Sequence, residues 1–556
     1  MVADTGEIDE LARQARTWVR DDPDPATRAE LIAVLDRLPA SGADLADRFA
    51  GSLTFGTAGL RGPLRAGPNG MNLAVVTRTA AGLVAWLAAR DAAGPLVIGY
   101  DARHGSRLFA EQTARVATGA GREALLLPWP LPTPVLAYAV RRLGAAAGVM
   151  VTASHNPPQD NGYKVYLGEQ VGGPLGAGAQ IVPPVDAEIE AAIRSIGPAS
   201  AVPLGPAGDE LGEDIVLSYV ESAAAVVAPD GPRDLAVAYT PLHGVGVKVL
   251  SSVFAHAGFA YPSVVAEQAE PDPNFSTVAF PNPEEPGAID RVIALAQEID
   301  ADLAIANDPD ADRCAVALPD RQRGWRMLRG DEVGVLLADH LMRRGVRGLY
   351  ATTIVSSSML RALCGARNQP YDETLTGFKW IVRAGAEAGE PLVFGYEEAL
   401  GYCVAPDHVR DKDGITAALT LAELAAALKA DGRTLLDRLD ELAAEFGVYL
   451  TDQLSVRVTD LREIAEAMAR IRERTPERLL GDPLTATEDL LPAADVLILR
   501  TARSRVVVRP SGTEPKLKAY LEVVERVPGG DVVTARERAA EAVRTLRAQT
   551  AAALGL

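Results

Sequence analysis

Three aspartates alternate in the stretch NDPDADR, which covers residues 307–313 between two short apolar runs. In an extended segment alternate side chains share one face, so Asp308, Asp310 and Asp312 are predicted to point the same way. Carboxylates this close repel one another unless a cation lies among them, and oxygen ligands suit Mg²⁺ or Ca²⁺. An EF-hand loop is excluded, because its Gly and Glu positions hold arginine and proline here. The pattern therefore predicts a metal site with open coordination positions that phosphate oxygens would fill.

A second chemical candidate is the hydroxyl of Ser154 in the stretch VMVTASHNPPQDNGYK, residues 149–164. Adjacent side chains point apart, so His155 and Asn156 are not expected to form a triad with Ser154. A serine oxygen, a metal site and scattered basic loops together indicate phosphoryl transfer, which depends mostly on positioning and charge stabilisation. His155 and Lys164 are candidates for acid/base or charge-stabilising groups. The alternatives are a histidine that only holds the loop by hydrogen bonds and a surface lysine.

The stretch RPSGTEPKLK, residues 509–518, is a candidate anion site. Arg509 can bind a phosphate through two parallel hydrogen bonds. The turn through Ser511, Gly512 and Thr513 can aim successive backbone N–H groups into one concavity, although a purely structural turn is the alternative. No Walker motif is present, and the glycines of HGVGVKV do not complete a dinucleotide-binding pattern, so we interpret that turn as structural.

These chemical residues fall within recurring structural units. Three stretches combine a short apolar run with a turn and an amphipathic helical pattern. They begin GPLVIGYDARHG, DLAVAYTPLHG and RGLYATTIVSS, and they predict three related α/β domains with helices covering parallel sheets. The C-terminal stretch SRVVVRPSGTEPKLKAYLEVVER predicts two strands around a turn and then a helix, as part of a separate α+β domain.

Composition shifts along the chain indicate the domain boundaries. A Pro/Gly/Ala-rich linker covers residues 196–214, and a helical pattern changes to strand alternation near Phe446. The Gly/Pro-rich segment 168–184 is expected to be a mobile flap or a plain insertion. The predicted domains are 1–212, with the Ser154 loop; 213–322, with the aspartates; 323–445; and the C-terminal domain 446–556.

The bulk properties restrict the classes of partner. The chain has 556 residues and a formal net charge of −19, which argues against nucleic-acid or anionic-membrane binding. No apolar run is long enough to span a bilayer, and the acidic N-terminus is no signal peptide. The three cysteines form no metal-binding or disulfide-like spacing, so a cytoplasmic protein is predicted, as a monomer or small homo-oligomer.

In combination, TASHNP, DPDADR, GYEEALG and RPSGTEPK resemble the motifs of the α-D-phosphohexomutase superfamily, in the same order. The resemblance runs from Gly56 to Lys518 and implies four domains around a central cleft: three related mixed α/β sandwich domains and a C-terminal α+β domain. It also implies a phosphosugar mutase. Ser154 would carry a phosphoryl group, give it to a sugar monophosphate, and recover the other phosphate after the sugar 1,6-bisphosphate turns over in the cleft.

The resemblance also assigns roles to individual residues. Mg²⁺ would bind the three aspartates and the phosphorylated Ser154. Arg61 and Arg313 would stabilise the transferring group, and Lys164 matches a lysine proposed as proton carrier. The remaining matches are substrate-binding positions: the distal phosphate site Arg509, Ser511, Gly512, Thr513 and Lys518; the basic loop residues Arg410 and Lys412; the specificity loop Gly377, Phe378 and Lys379; and the sugar loop Glu397 and Glu398.

The sugar loop departs from the common family pattern. Ala399 stands where many hexose enzymes have a serine, and the loop looks like that of bacterial phosphoglucomutases and phosphopentomutases of the superfamily. Interconversion of glucose 1-phosphate and glucose 6-phosphate is the first interpretation. A phosphomannomutase and a phosphopentomutase acting on ribose phosphates are the alternatives. A phosphatase acting through phosphorylated Ser154 and a non-catalytic sugar-phosphate-binding protein are rival interpretations.

Overall fold

The chain folds into two compact units. The computed structural model describes residues 5–56, 59–320, 324–385, 389–458, 460–511 and 516–556. The first unit comprises Met1–Leu328, Phe378–Ala386 and Gly401–Ala426; the second comprises Arg329–Gly377, Glu387–Leu400 and Ala427–Leu556. No helix in the described part of the chain combines the length and the apolar character that a bilayer crossing needs.

Three helices open the first unit: α1 Thr5–Asp21, α2 Pro25–Asp36 and α3 Gly42–Arg48. The start of α2 follows from local chemistry, because the Asp24 carboxylate accepts a hydrogen bond from the amide of Ala26 and proline occupies the first helical position. The three helices enclose a small apolar core that includes Leu31, Val34 and Leu45.

A six-stranded sheet follows. Its strands are β1 Leu60–Pro63, β2 Leu96–Tyr100, β3 Ala124–Leu126, β4 Ala147–Val151, β5 Asp160–Leu167 and β6 Asp209–Glu210, in the order β1-β5-β4-β2-β3-β6. The central strands β2 and β4 are parallel and buried throughout, which explains their continuous apolar runs. Helices of this region are α4 Leu73–Ala88, α5 Ser106–Gly119, α6 Thr133–Arg142, α7 Glu169–Gly176, α8 Val185–Ser195 and α9 Asp214–Ala224.

The Gly/Pro-rich segment 168–184 is packed against this sheet, and its interpretation as a mobile flap or a plain insertion stays a prediction. Its first half forms α7, and the backbone of Leu167 at the end of β5 pairs with Ala179. Gln180 is only 9% exposed and Ile181 is fully buried. The glycines and prolines therefore shape a chain reversal that returns buried side chains to the domain.

A five-stranded sheet completes the α/β part of the first unit. Its strands are β7 Val237–Thr240, β8 Ser263–Val264, β9 Leu303–Ala306, β10 Ala315–Asp320 and β11 Gly324–Met327, in the order β11-β10-β9-β7-β8; its helices are α10 Gly246–His256 and α11 Asp290–Glu298. Strands β9 and β10 are antiparallel neighbours, with Ala306 opposite Ala315. The three aspartates therefore lie in the connection between these two antiparallel strands, residues 307–314.

The next elements are α12 Gly330–Arg343, β12 Leu349–Thr353, α13 Met359–Ala366, β13 Tyr371–Thr374, α14 Phe378–Ile381, β14 Leu392–Glu397, β15 Gly401–Cys403, α15 Gly414–Ala430 and α16 Leu435–Phe446. Within the second unit, β12 pairs in parallel with both β13 and β14. The predicted strand-turn-helix units are confirmed at β2–α5, β7–α10 and β12–α13. The third strand-turn-helix unit therefore forms where the sequence predicts it.

The C-terminal region is an antiparallel sheet with two helices. Its elements are β16 Val448–Arg457, α17 Leu461–Glu473, β17 Arg478–Leu479, β18 Asp482–Pro483, β19 Ala486–Asp489, β20 Leu497–Arg500, β21 Ser504–Pro510, β22 Lys516–Glu525 and α18 Val532–Leu554. The main sheet has the order β16-β22-β21-β20-β19, and apolar side chains of α17 and α18 such as Met468 and Leu546 pack on it. The predicted pair of strands followed by a helix is confirmed by β21, β22 and α18.

Candidate active site

Ser154 lies in the turn after the buried strand β4. Its backbone has φ of 53°, a left-handed conformation that is strained for a residue other than glycine, and Ser154 is 3% exposed. The Ser154 amide donates to the hydroxyl of Thr152 at 2.9 Å, and that hydroxyl donates to the carboxylate of Asp101 at 2.6 Å. Strain of this kind persists where surrounding groups fix it, and it is concentrated at functional sites.

Arg103 binds the backbone of the same turn, and it was not among the residues predicted from the sequence. Its buried guanidinium donates to the carbonyl oxygens of Ser154 at 2.6 Å and Pro157 at 2.9 Å, and it also reaches the carbonyl of Asn156. The Asp101 carboxylate lies 3.3 Å from Arg103 Nε. Asp101 directly follows β2, and Arg103 lies two residues further on. Because β2 ends beside β4, polar residues at the end of a buried parallel strand were the available signal.

The Ser154 hydroxyl contacts two candidate groups. It donates to Asp308 Oδ2 at 2.9 Å, and it lies 3.2 Å from His155 Nδ1. The expectation that adjacent side chains point apart is wrong for this pair, because it holds for extended backbone and Ser154 is in a left-handed turn. Burial, together with the positive charges of Arg313 and Arg61, holds the pKa of His155 well below its usual value.

The three aspartates are fully buried and converge, although they lie in a turn and not in an extended segment. One carboxylate oxygen from each of Asp308, Asp310 and Asp312 lies within 4.8 Å of the other two. A left-handed residue, Ala311 with φ of 52°, reverses the chain between the second and third. Within the described residues, one oxygen of Asp310 and one of Asp312 are buried without a hydrogen-bond donor. Buried, undonated carboxylate oxygens fit a hard divalent cation such as Mg²⁺.

The turn of HGVGVKV, interpreted as structural, supports the metal loop. The amide of Val245 donates to the carbonyl of Pro309 at 2.9 Å. A Cβ atom on Gly244 would lie 2.3 Å from the backbone of Pro309, so only glycine permits this approach. The turn therefore fixes the backbone between the first two aspartates.

Two lysines surround the aspartates. Lys164 Nζ donates to Asp310 at 2.8 Å and to Asp312 at 3.1 Å, and Lys412 Nζ lies 3.1 Å from Asp312. Burial opposes charge on Lys164, but the two carboxylates outweigh it and raise its pKa. The aspartate cluster is thus paired with two lysines, and it keeps two carboxylate oxygens without a hydrogen-bond donor among the described residues, which a cation could bind.

Arg61 and Arg313 approach the same loops. The Arg61 guanidinium donates to the side-chain oxygen of Asn156 at 3.1 Å, and the Arg313 amide donates to Asp308 Oδ1 at 3.0 Å. Arg61 reaches this position because Gly59, with φ of 84°, lets the chain pass where a Cβ atom would lie 1.9 Å from the carbonyl oxygen of Tyr163. Arg61 therefore contacts the Ser154 loop, and Arg313 contacts the first aspartate of the metal loop.

The basic loop and the specificity loop contribute cations to the first unit. The Phe378 ring lies 5.8 Å from Lys412 Nζ. Lys379 Nζ and Arg410 Nε are buried, and neither has a hydrogen-bond partner among the described residues. Burial lowers the pKa of Lys379 to about 8. Buried cationic groups without acceptors suit an anionic ligand.

The second unit contains the sugar-loop residues. Glu398 follows β14, and its carboxylate accepts hydrogen bonds from Ser356 at 3.1 Å and Thr353 at 3.3 Å. Glu397 is its chain neighbour, and Gly377 occupies a turn with φ of 113°. Burial, the charge of Glu397 and that of Asp331 raise the pKa of Glu398 to about 7. Thr353 and Ser356 were not identified from the sequence, although Thr353 ends the buried strand β12 and Ser356 lies in the turn after it.

This raised pKa predicts a pH-dependent stability. Because the folded pKa is above the ordinary 4.5, Glu398 stabilises the fold fully below pH 4.5 and loses that stabilisation as pH rises to about 7. The shift corresponds to a loss on the order of 3 kcal/mol. Glu398→Gln should therefore raise the thermal unfolding midpoint relative to wild type at pH 8 and change it little at pH 5. The exposed Glu390→Gln is the control, and equal midpoints for Glu398→Gln and wild type at pH 8 would contradict the assignment.

Arg509 and the sugar loop come together within the second unit. The Arg509 guanidinium hydrogen-bonds the phenol of Tyr520, and the negative charge of Glu398 acts on the same phenol. Lys518 lies opposite Arg509 in the pairing of β21 with β22, and the Ser511 amide donates to the carbonyl of Lys516 at 2.8 Å. The predicted residues Gly512 and Thr513 lie outside the described residues.

Four family models match the chain in succession. They are the phosphoglucomutase/phosphomannomutase α/β/α domains I, II and III at residues 52–199, 217–322 and 329–446, and the C-terminal domain of that family at residues 454–535. They confirm the predicted architecture of three related α/β domains and a different C-terminal domain. The predicted boundaries at 212, 322 and 445 stay a prediction.

Known proteins similar to this chain have related names. A protein named "Probable phosphomannomutase" from Haemophilus influenzae is 45% identical over 83% of this chain and 94% of its own length. A phosphoglucomutase from Staphylococcus haemolyticus is 34% identical over 85% of this chain and 91% of its own length.

A solved structure shares the fold. The crystal structure of a protein assigned to the phosphomannomutases, from Thermus thermophilus, has a TM-score of 0.69 and 26% identity, covering 88% of this chain and 99% of that one. The relatives, the four matched domains and the serine beside an aspartate cluster agree. The chain therefore belongs to the phosphoglucomutase/phosphomannomutase family and is a phosphosugar mutase.

Proposed function

We propose that this mutase is Mg²⁺-dependent and moves a phosphoryl group between the 1- and 6-positions of glucose phosphate, through phosphorylated Ser154 and a sugar 1,6-bisphosphate. The observation that carries the proposal is the hydrogen bond of 2.9 Å from the Ser154 hydroxyl to Asp308, inside a buried cluster with two undonated carboxylate oxygens. A phosphate on that hydroxyl would lie beside the aspartates.

In the proposed transfer, the bond between phosphorus and Ser154 Oγ breaks as a bond forms to a sugar hydroxyl oxygen, and the proton of that hydroxyl ends on Ser154 Oγ, which becomes a hydroxyl again. Bound at the three aspartates, Mg²⁺ would supply charge stabilisation for the phosphoryl oxygens. Arg61 and Arg313 would hold the same oxygens by hydrogen bonds, and His155 lies close enough to Ser154 Oγ to orient it. Lys164 is the proposed proton carrier. In the second transfer, the other phosphoryl group of the sugar bisphosphate moves back to Ser154 Oγ, by the reverse of the first step.

Each unit, taken by itself, contains residues with a proposed substrate-binding role. In the first unit, Lys379 and Arg410 have buried cationic nitrogens without acceptors among the described residues, which supports anion binding. In the second unit, Glu397 and Glu398 would accept hydrogen bonds from sugar hydroxyls, while Arg509, with Ser511, Gly512, Thr513 and Lys518, would hold the non-reacting phosphate. The three cysteines are free and buried, which fits the proposed cytoplasmic location, as a monomer or small homo-oligomer.

Mannose phosphate is the second candidate substrate, because the Haemophilus influenzae relative at 45% identity is named a phosphomannomutase. A ³¹P NMR time course decides between them, with Mg²⁺, a trace of the matching bisphosphate, and the 1-phosphates of glucose, mannose and ribose in separate tubes. Fast conversion of glucose 1-phosphate to the 6-phosphate is expected. Faster conversion in another tube would replace the proposed sugar, and release of inorganic phosphate would indicate a phosphatase.

Arg509→Gln should raise the KM for the sugar phosphate about 10- to 100-fold and leave kcat within a few-fold. The physical reason is that Arg509 is assigned to a phosphate that does not react, so its contact is equally strong before and during transfer. Steady-state kinetics with saturating Mg²⁺ measures the effect. The exposed Arg526→Gln, directly after β22, is the control, and an Arg509 variant with unchanged KM would contradict the assignment.

A further inference from the structure

Gln180 in the Gly/Pro-rich segment connects two loops that the proposed function uses. Its side-chain amide donates to Asp411 Oδ2 at 2.8 Å and to the hydroxyl of Tyr166 at 3.3 Å. Its backbone carbonyl accepts a hydrogen bond from Arg383 at 2.9 Å. The segment 168–184 therefore bonds to the basic loop on one side and to the chain after α14 on the other.

Asp411 requires these donors because its carboxylate is almost fully buried. Tyr166 donates to Oδ2 at 2.7 Å, and the amide of Lys412 donates to Oδ1 at 2.8 Å. A buried carboxylate is tolerated only when its oxygens receive hydrogen bonds or ion pairs. Gln180 supplies one of the two side-chain hydrogen bonds to Asp411 Oδ2. Without this hydrogen bond, the basic loop around Asp411 would be less firmly held.

The residue after Asp411 reaches the aspartate cluster. Lys412 Nζ lies 3.6 Å from Asp411 and 3.1 Å from Asp312. Arg410 precedes Asp411, so the two cations of the basic loop flank the residue that Gln180 holds. A shift of Asp411 would move both.

The second link runs through Arg383. Its guanidinium donates both to Gln180 and to the carbonyl of Lys379 at 2.7 Å, and Lys379 belongs to α14 of the specificity loop. A Cβ atom on Gly176 would lie 3.2 Å from this guanidinium, so the segment packs closely around it. Gln180 thus binds Asp411 of the basic loop and Arg383, which in turn binds the specificity loop.

We propose that Gln180 is a positioning residue that fixes the basic loop 408–413 through Asp411, and so sets the affinity of the enzyme for its sugar phosphate. The role rests on the proposed function, since it assigns Arg410 to the binding of the anionic substrate. Gln180 itself is not assigned to the reacting atoms.

The test compares Gln180→Leu, which keeps the size of the side chain and removes its donor, with Gln170→Leu. Gln170 lies in the same segment and also makes two hydrogen bonds, to the backbone of Asp91 and Ala93, away from the basic loop. Gln180→Leu should raise KM about tenfold with kcat within about threefold, while Gln170→Leu should match wild type. Gln180→Glu should raise KM further, because it places a second carboxylate beside Asp411.

Hydrogen exchange in the ligand-free protein provides a readout that needs no activity. The amides of His408, Val409, Lys412 and Asp413 are hydrogen-bonded, and they should exchange at least about tenfold faster in Gln180→Leu than in wild type. Unchanged exchange at these amides, or an unchanged KM in an active Gln180→Leu enzyme, would overturn the proposal. If the wild type interconverts no sugar phosphate, the proposed function fails and the exchange result alone decides the positioning role.

Discussion

Ser154→Ala is expected to reduce mutase turnover by about 10⁴-fold or more. The Ser154 hydroxyl donates and accepts the transferred phosphoryl group, so its removal abolishes the reaction path. The fold should persist. Alanine and serine have the same Cβ in the left-handed turn, and Thr152 and Arg103 bind only the backbone of this residue. Turnover by ³¹P NMR and the thermal unfolding midpoint should be measured on the same preparation.

The exposed Ser195→Ala serves as the matched control and should retain full activity. A Ser154→Ala protein that is folded and still turns over at the wild-type rate would refute the phosphoserine role. A Ser154→Ala protein with a strongly lowered midpoint would require the comparison to be repeated with Ser154→Cys, which keeps a side-chain group at the γ position.

Asp310→Asn is expected to reduce turnover by about 10²- to 10³-fold, because a bound metal supplies several kcal/mol to the transition state. The variant removes one charge, yet its amide oxygen can still accept the hydrogen bonds of Lys164 and Thr133. A second expected effect needs no substrate. Mg²⁺ should raise the unfolding midpoint of the wild type by mass action, and this shift should shrink or vanish in Asp310→Asn.

Asp300→Asn provides the control for charge alone. Asp300 is exposed and left-handed, with φ of 52°, a conformation that asparagine adopts readily. Its Mg²⁺-dependent midpoint shift should equal that of wild type. An equal shift in Asp310→Asn would mean that Mg²⁺ does not bind the aspartate cluster.

Much of the site was readable from the sequence because its groups are contiguous in the chain. The aspartates occupy a single hairpin connection, and Ser154 with Lys164 occupies a single loop and strand. The predicted extended backbone was nevertheless wrong, since the aspartates converge through a turn at Ala311. Carboxylates two residues apart can meet in either conformation, so the conclusion was insensitive to that error.

Polar residues at the ends of buried strands gave a general signal for the supporting residues, but their individual contacts were not predictable, for a physical reason. Arg103 acts on backbone carbonyl oxygens some fifty residues further along the chain. A hydrogen bond to a backbone carbonyl oxygen requires no particular side chain in the partner residue, so it produces no sequence motif. Gln180 was likewise hidden, because Gly/Pro-rich composition reports where the backbone reverses and says nothing about a single buried amide. The same limit applies to Ser356, whose partner Glu398 is distant in sequence.

The most direct test of the central claim follows the phosphoryl group itself. Enzyme labelled with ³²P on Ser154 would be mixed with unlabelled glucose 1-phosphate and Mg²⁺ and quenched within a single turnover. The account predicts that the label leaves the protein and appears in the glucose bisphosphate and then in hexose monophosphate. Label that stays on the protein during turnover, or that appears only as inorganic phosphate, would contradict it.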